Sequence, residues 1–135
     1  MTREPFEPGL RISGFDAAIL LTGGAVGGWL YPEMPIAAIL TWFVVGHFFL
    51  FCNVFRIARH LELTWTGIFL LSALPTISWG LPGWPACLSL ALLTTVFVVA
   101  CEMRKPSYHG LGWQKINPNL RQWWDSQPHE TGTKP

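Results

Sequence analysis

The chain has 135 residues, of which 50% are hydrophobic and 13% charged, with a formal net charge of +1. A soluble domain carries about a quarter charged residues, so this composition argues against an ordinary water-soluble globule. Near-neutral charge, with no basic patch interleaved with aromatics outside the tail, argues against a nucleic-acid partner.

Residues 1–14, MTREPFEPGLRISG, read as an irregular cytoplasmic lead-in at the membrane surface. Arg3 and Arg11 precede an apolar run, but no A-x-A site follows it and Asp16 stands at its start, so a cleaved signal peptide is not expected. Residues 15–31 form the first expected span. Its glycines fall in two pairs at four-residue spacing, Gly23 with Gly27 and Gly24 with Gly28. Small residues at that spacing let a second backbone approach closely, so these four are the expected helix-packing positions.

The second and longest apolar run occupies 36–58. It starts after Pro35, which suits a first helical turn, and ends in Arg56 and Arg59. Twenty helical residues span about 30 Å, the thickness of a bilayer's hydrocarbon. A short charged loop is expected over 58–64. The third span, 64–80, contains Pro75, with Ser72, Thr76 and Ser78 near enough to re-satisfy freed carbonyls; a kink near Leu74 is the expectation. The fourth span is 85–103. The tail, 104–135, is too polar to cross. Asn117 and Pro118 predict a short helix start, with Leu120, Trp123 and Trp124 on one side as an interfacial anchor, and chain beyond Gln127 is expected to be disordered.

Positive charge gives the orientation. Arg3 and Arg11, Arg56 and Arg59, and then Arg104, Lys105, Lys115, Arg121 and Lys134 account for all 9 basic residues, and a four-span path places every one on the same side. The expected architecture is therefore an all-α polytopic membrane protein: an antiparallel four-helix transmembrane bundle in the inner membrane, both termini cytoplasmic, with a short interfacial C-terminal helix.

His47 lies nine residues inside Arg56, roughly 13 Å deep, near mid-bilayer. A polar group there must face the bundle. Thr22, Ser72, Thr94 and Thr95 are the expected polar layer around it. Three roles are open: a neutral histidine bonded to a neighbouring hydroxyl, an axial ligand of a haem or chlorophyll-type macrocycle, or a translocation site. With no second intramembrane histidine, a bis-histidine haem within one chain is excluded. Asp16, Asn53, Arg56 and Glu102 are expected to form a polar network at the cytoplasmic boundary, with Arg56 paired to Asp16 or Glu102 and Asn53 bridging beneath.

Cys52, Cys87 and Cys101 show no CxxC spacing and read as small hydrophobes, with no metal site implied. There is no glycine-rich phosphate loop, no H-E-x-x-H and no nucleophile elbow, so catalysis is not the expected activity. Three functions remain: a structural or assembly subunit of a larger membrane complex, a small dimeric transporter of the multidrug type, and a haem- or pigment-binding subunit using His47. The expected partners are the bilayer and other membrane subunits or a second copy.

Overall fold

The computed structural model describes residues 6–127. Among the described residues six α-helices follow one another: α1 Gly14–Leu30, α2 Pro35–Phe49, α3 Arg59–Trp79, α4 Trp84–Met103, α5 Trp113–Ile116 and α6 Leu120–Ser126. A π-helical turn, Leu50–Val54, continues α2. Among the described residues no strand occurs, and three helical stretches are long and apolar enough to cross a membrane: Pro35–Val54, Arg59–Trp79 and Trp84–Met103. α1, with 17 residues, is an apolar helix below that length. The expected lead-in residues 1–5 and the expected disorder after Gln127 lie outside the described residues.

Local chemistry sets the helix ends. Ser13 caps α1 through a reciprocal box, its hydroxyl accepting from the Asp16 amide while the Asp16 carboxylate accepts from the Ser13 amide. Pro35 opens α2 at a position where its missing N–H costs nothing. Gly80, at φ +73°, closes α3 in a left-handed conformation that glycine adopts freely.

Three expected boundaries shift. α2 gives way to the π-turn and ends at Val54, because the Phe55 amide bonds back five residues to the Leu50 carbonyl at 2.9 Å. The expected loop over 58–64 is instead the opening of α3. Ala58 is extended and its carbonyl accepts from the Leu61 and Glu62 amides, while Glu62 places a negative charge in the first turn. In the tail, α6 starts at Leu120 rather than at Asn117, whose side-chain amide donates to the Pro106 and Tyr108 carbonyls at 2.6 and 3.2 Å.

The long helices pack as two antiparallel hairpins, α1 on α2 and α3 on α4. In the first, Gly23 and Gly27 of α1 face Val45 and Trp42 of α2; a Cβ on Gly23 would meet Val45 Cγ2 at 2.8 Å, and one on Gly27 would run into the Trp42 ring. In the second, the Trp65 indole of α3 donates to the Ala91 carbonyl and Thr95 hydroxyl of α4 at 3.0 and 2.9 Å, and Ser72 Oγ lies 3.1 Å from Cys87 Sγ. Aromatic rings join the hairpins: Phe43, His47 and Phe51 of the second run all meet Trp65, and Phe43 also meets Phe69. Phe51, Trp65, Phe69, Ala73, Cys87, Ala91 and Val98 belong to the buried core along this seam. Through Pro75 the α3 helix continues, with the Thr76 hydroxyl bonding the Ser72 carbonyl and the Ser72 hydroxyl bonding those of Ile68 and Phe69.

Candidate functional site

The lead-in, the chain between α2 and α3, and the tail converge at one end of the helices. The Gly9 amide donates to the His109 carbonyl at 2.7 Å, the Arg11 amide to the Asn53 carbonyl at 3.2 Å, and the Leu111 amide to the Val54 carbonyl at 2.8 Å. Phe6 sits edge-on to both Trp113 and Trp124, and the Arg121 guanidinium lies 4.9 Å over its ring. The result is a platform made of segments about fifty residues apart in sequence, pinned by backbone bonds.

Arg56 is its central side chain. Its backbone takes φ +50°, a left-handed conformation that costs a non-glycine residue about 1 kcal/mol or more. That turn sends the guanidinium to the lead-in, where Nη1 donates to the Glu7 carbonyl at 2.6 Å. Burial, and then the nearby Arg11 guanidinium, push the Arg56 pKa below its ordinary value, with Glu7 opposing.

The expected pairing of Arg56 with Asp16 or Glu102 therefore does not form. The Asp16 carboxylate is taken by Ser13, accepting from its amide and hydroxyl at 2.8 and 2.6 Å. Glu102, 5% exposed, accepts from Lys105 Nζ at 2.7 Å and from the Ala58 amide at 3.4 Å, tying the end of α4 to the start of α3. Asn53 is buried and its carbonyl holds Arg11, but Asn53 Nδ2 has no hydrogen-bond partner; the Asp16 carboxylate is close enough to feel its dipole. Arg56, Asp16, Glu102 and Asn53 thus each take a partner of their own, because each carboxylate finds a donor nearer in sequence than Arg56.

The platform also uses residues that the sequence reading passed over. Tyr108, 1% exposed, donates to the Leu111 carbonyl at 2.7 Å, and burial raises its phenol pKa, with the Glu102 charge adding to the effect. Gly110 lies so close to the α2–α3 chain that a Cβ there would sit 2.5 Å from the Phe55 carbonyl oxygen. The only sequence signal was a glycine following Tyr108 and His109 in an otherwise polar tail.

His47 occupies a different environment from the one expected. Its Nδ1 donates to the Phe43 carbonyl of its own helix at 2.8 Å, which leaves Nε2 as the lone-pair nitrogen. That atom is buried without a partner. The ring stacks on Trp65 at 4.8 Å with 17° between planes, lies 4.2 Å from Phe43, and meets Phe51 edge-on. None of the expected hydroxyls bonds His47. Thr94 and Thr95 bond carbonyls of their own helix, Ser72 does the same beside Cys87, and Thr22 lines a groove between α1 and α2. A macrocycle needs a flat opening at Nε2, whereas packed rings surround this histidine, so these residues do not fit a haem or chlorophyll in this arrangement. No group of three metal-ligating side chains occurs among the described residues.

The glycines of α1 divide. Gly23 and Gly27 are used against α2, whereas a Cβ on Gly24 or Gly28 would meet nothing within 4 Å. One residue further along a helix turns about 100°, so the second pair faces away from the first. Leu21, at 75% exposure, shares the side of the second pair.

No protein-family model, characterised protein or solved structure matches this chain.

Proposed function

We propose that the protein is a four-span inner-membrane subunit whose task is structural, with the outer face of α1 as its seam to another subunit of a larger complex. The observation that carries this reading is the division of the α1 glycines. Two are consumed by the chain's own packing, and the other two leave bare backbone facing outward beside exposed apolar side chains. In lipid, helix association depends on close backbone approach rather than on hydrophobic exclusion, so such a face favours a second helix over lipid chains.

Four crossings are supported by the path of the chain. The lead-in before α1 and the chain after α2 meet through the Arg11–Asn53 bond, so α1 and α2 begin and end at a common level. The tail after α4 reaches the same level through Leu111 and Val54. At about 25 Å, α1 can span with modest local thinning of the bilayer. The basic residues at that end then face the cytoplasm.

The transporter reading lacks support, since Asp16 and Glu102 are both engaged at the helix ends and neither stands free within the apolar depth. The pigment reading lacks room around His47.

Extraction in mild detergent followed by a native gel tests the proposal. The wild-type chain is expected to run in an assembly with other subunits, and Gly28→Leu to release it as the free 15.2 kDa chain. A wild-type homodimer that takes up substrate in a pH-dependent way would overturn the structural reading. Cysteine labelling of the 31–34 and 81–83 turns from outside, with lead-in and tail protected, is the expected topology result.

A further inference from the structure

Two cavities meet at Arg56 and His109. One, about 210 Å³, lies between lead-in and tail and is walled by Arg11, Arg56, His109, Glu7, Phe6 and Trp124. The other, about 390 Å³, is walled by the same Arg56 and His109 together with Arg59 and Glu62, and runs onto Phe48 and Cys52 of the helix wall and Ile57 of the chain that follows it. Three arginines thus border the pair of cavities against two carboxylates. Arg56 is held in place by its left-handed backbone and its bond to the Glu7 carbonyl, with Arg11 close enough to repel it. A guanidinium presents a planar fork that matches phosphate oxygens. Beside the fork, Phe48 and the exposed Cys52 continue the second cavity as an apolar groove along α2 and its π-turn.

We propose that Arg11 and Arg56 hold the phosphate of an anionic phospholipid headgroup, with an acyl chain lying along Phe48, Cys52 and Ile57. This rests on the membrane reading above, which puts the platform at headgroup level. The shared chemistry is a phosphate between two guanidiniums. The apolar groove leading from it assigns that phosphate to a lipid rather than to the free anion.

The test uses the full chain in neutral detergent, titrated with phosphatidylglycerol, phosphatidylcholine or inorganic phosphate and followed by native mass spectrometry. Phosphatidylglycerol is expected to be retained about tenfold better than phosphatidylcholine, since each basic group near a membrane surface favours anionic lipid severalfold. Arg11→Gln and Arg56→Gln should each weaken that retention about fivefold. Arg104→Gln, an exposed basic residue beyond α4 that borders neither cavity, should leave it unchanged. Equal retention of the two lipids, or an equal loss in Arg104→Gln, overturns the proposal. Displacement of the lipid by inorganic phosphate reassigns the site to a free anion and overturns it as well. If Arg56→Gln does not fold, Arg11→Gln carries the test, because the Arg11 backbone bond to Asn53 survives that change. Carbonate extraction separates the two layers of the argument. A protein that stays in the membrane pellet without lipid preference sinks this inference alone, whereas release into the supernatant sinks the membrane reading beneath it.

Discussion

The two hairpins solve the same problem by opposite means. α1 and α2 come together through what is missing: glycines at 23 and 27 leave space that Val45 and Trp42 fill, and the one side-chain bond across the pair is a long 3.4 Å contact from the Trp42 indole to the Gly24 carbonyl. α3 and α4 come together through what is added. Trp65 reaches two acceptors on the facing helix, and Ser72 meets Cys87 across small buried residues, Ala73 and Ala91. A seam built on absence tolerates no added atom, while a seam built on a large ring tolerates no removed one. The first hairpin also buries less of itself: of the residues in α1 only Gly27 is buried, whereas α3 and α4 each bury five.

The largest expected effect falls on the second seam. Trp65→Ala removes the stack on His47 and Phe69 and both indole bonds, and should cost about 3–5 kcal/mol of unfolding free energy, measured by denaturant titration in mixed micelles. Loss of less than about 1 kcal/mol would mean that the aromatic seam does not hold the hairpins together.

Gly27→Ala comes next. Its new methyl meets the Trp42 ring, which is stacked on Tyr31, and overpacking of this kind costs about 1–3 kcal/mol. Thermal unfolding followed by helical circular dichroism should fall accordingly. An unchanged melting profile would show that Trp42 swings aside and that the first seam is looser than described.

Trp65→Phe keeps an aromatic ring in the seam but removes the indole donor and part of the buried volume. Thr95 Oγ1 already donates to the Ala91 carbonyl at 2.8 Å, so neither acceptor is orphaned and the cost, hydrogen bonds and lost volume together, should be about 1–2 kcal/mol in the same titration. Smallest of all is Gly24→Ala, which meets open space and gains helix propensity of up to about 1 kcal/mol. The isolated chain should be as stable as wild type or slightly more so, while its assembly on native gels weakens. A destabilised isolated chain would instead place Gly24 in an internal contact.

Much of the helical content was readable because apolar runs, prolines and glycines act locally. Pro35 and Gly80 mark helix ends by their own geometry, and the paired glycines of α1 announced close packing before a partner was known. What the glycines did not announce was which pair faces inward, since that depends on where Val45 and Trp42 lie. The boundary pairing failed for a related reason. Counting depth put Asp16, Arg56 and Glu102 at one level, but Ser13 and Lys105 were nearer donors, and Arg56 turned to a backbone carbonyl that no side-chain pattern advertises. The platform itself was invisible in the sequence. Its bonds join main-chain atoms of residues 9, 11, 53, 54, 109 and 111, and main-chain atoms are the same everywhere along the chain. His47 bonds the carbonyl one turn back in its own helix rather than a hydroxyl of a neighbouring one, and a main-chain acceptor of that kind leaves no mark in the side-chain pattern.

The strap formed by the lead-in also has a bearing on the order of events during synthesis. The carbonyl that receives the Gly9 amide belongs to His109, made a hundred residues later. Until then Phe6 has neither Trp113 nor Trp124 to rest against, and the Ser13 end of the first helix stays unlatched. A chain halted after Met103 would hold all four long helices and still advertise itself as unfinished, with the lead-in strap loose for a protease to seize.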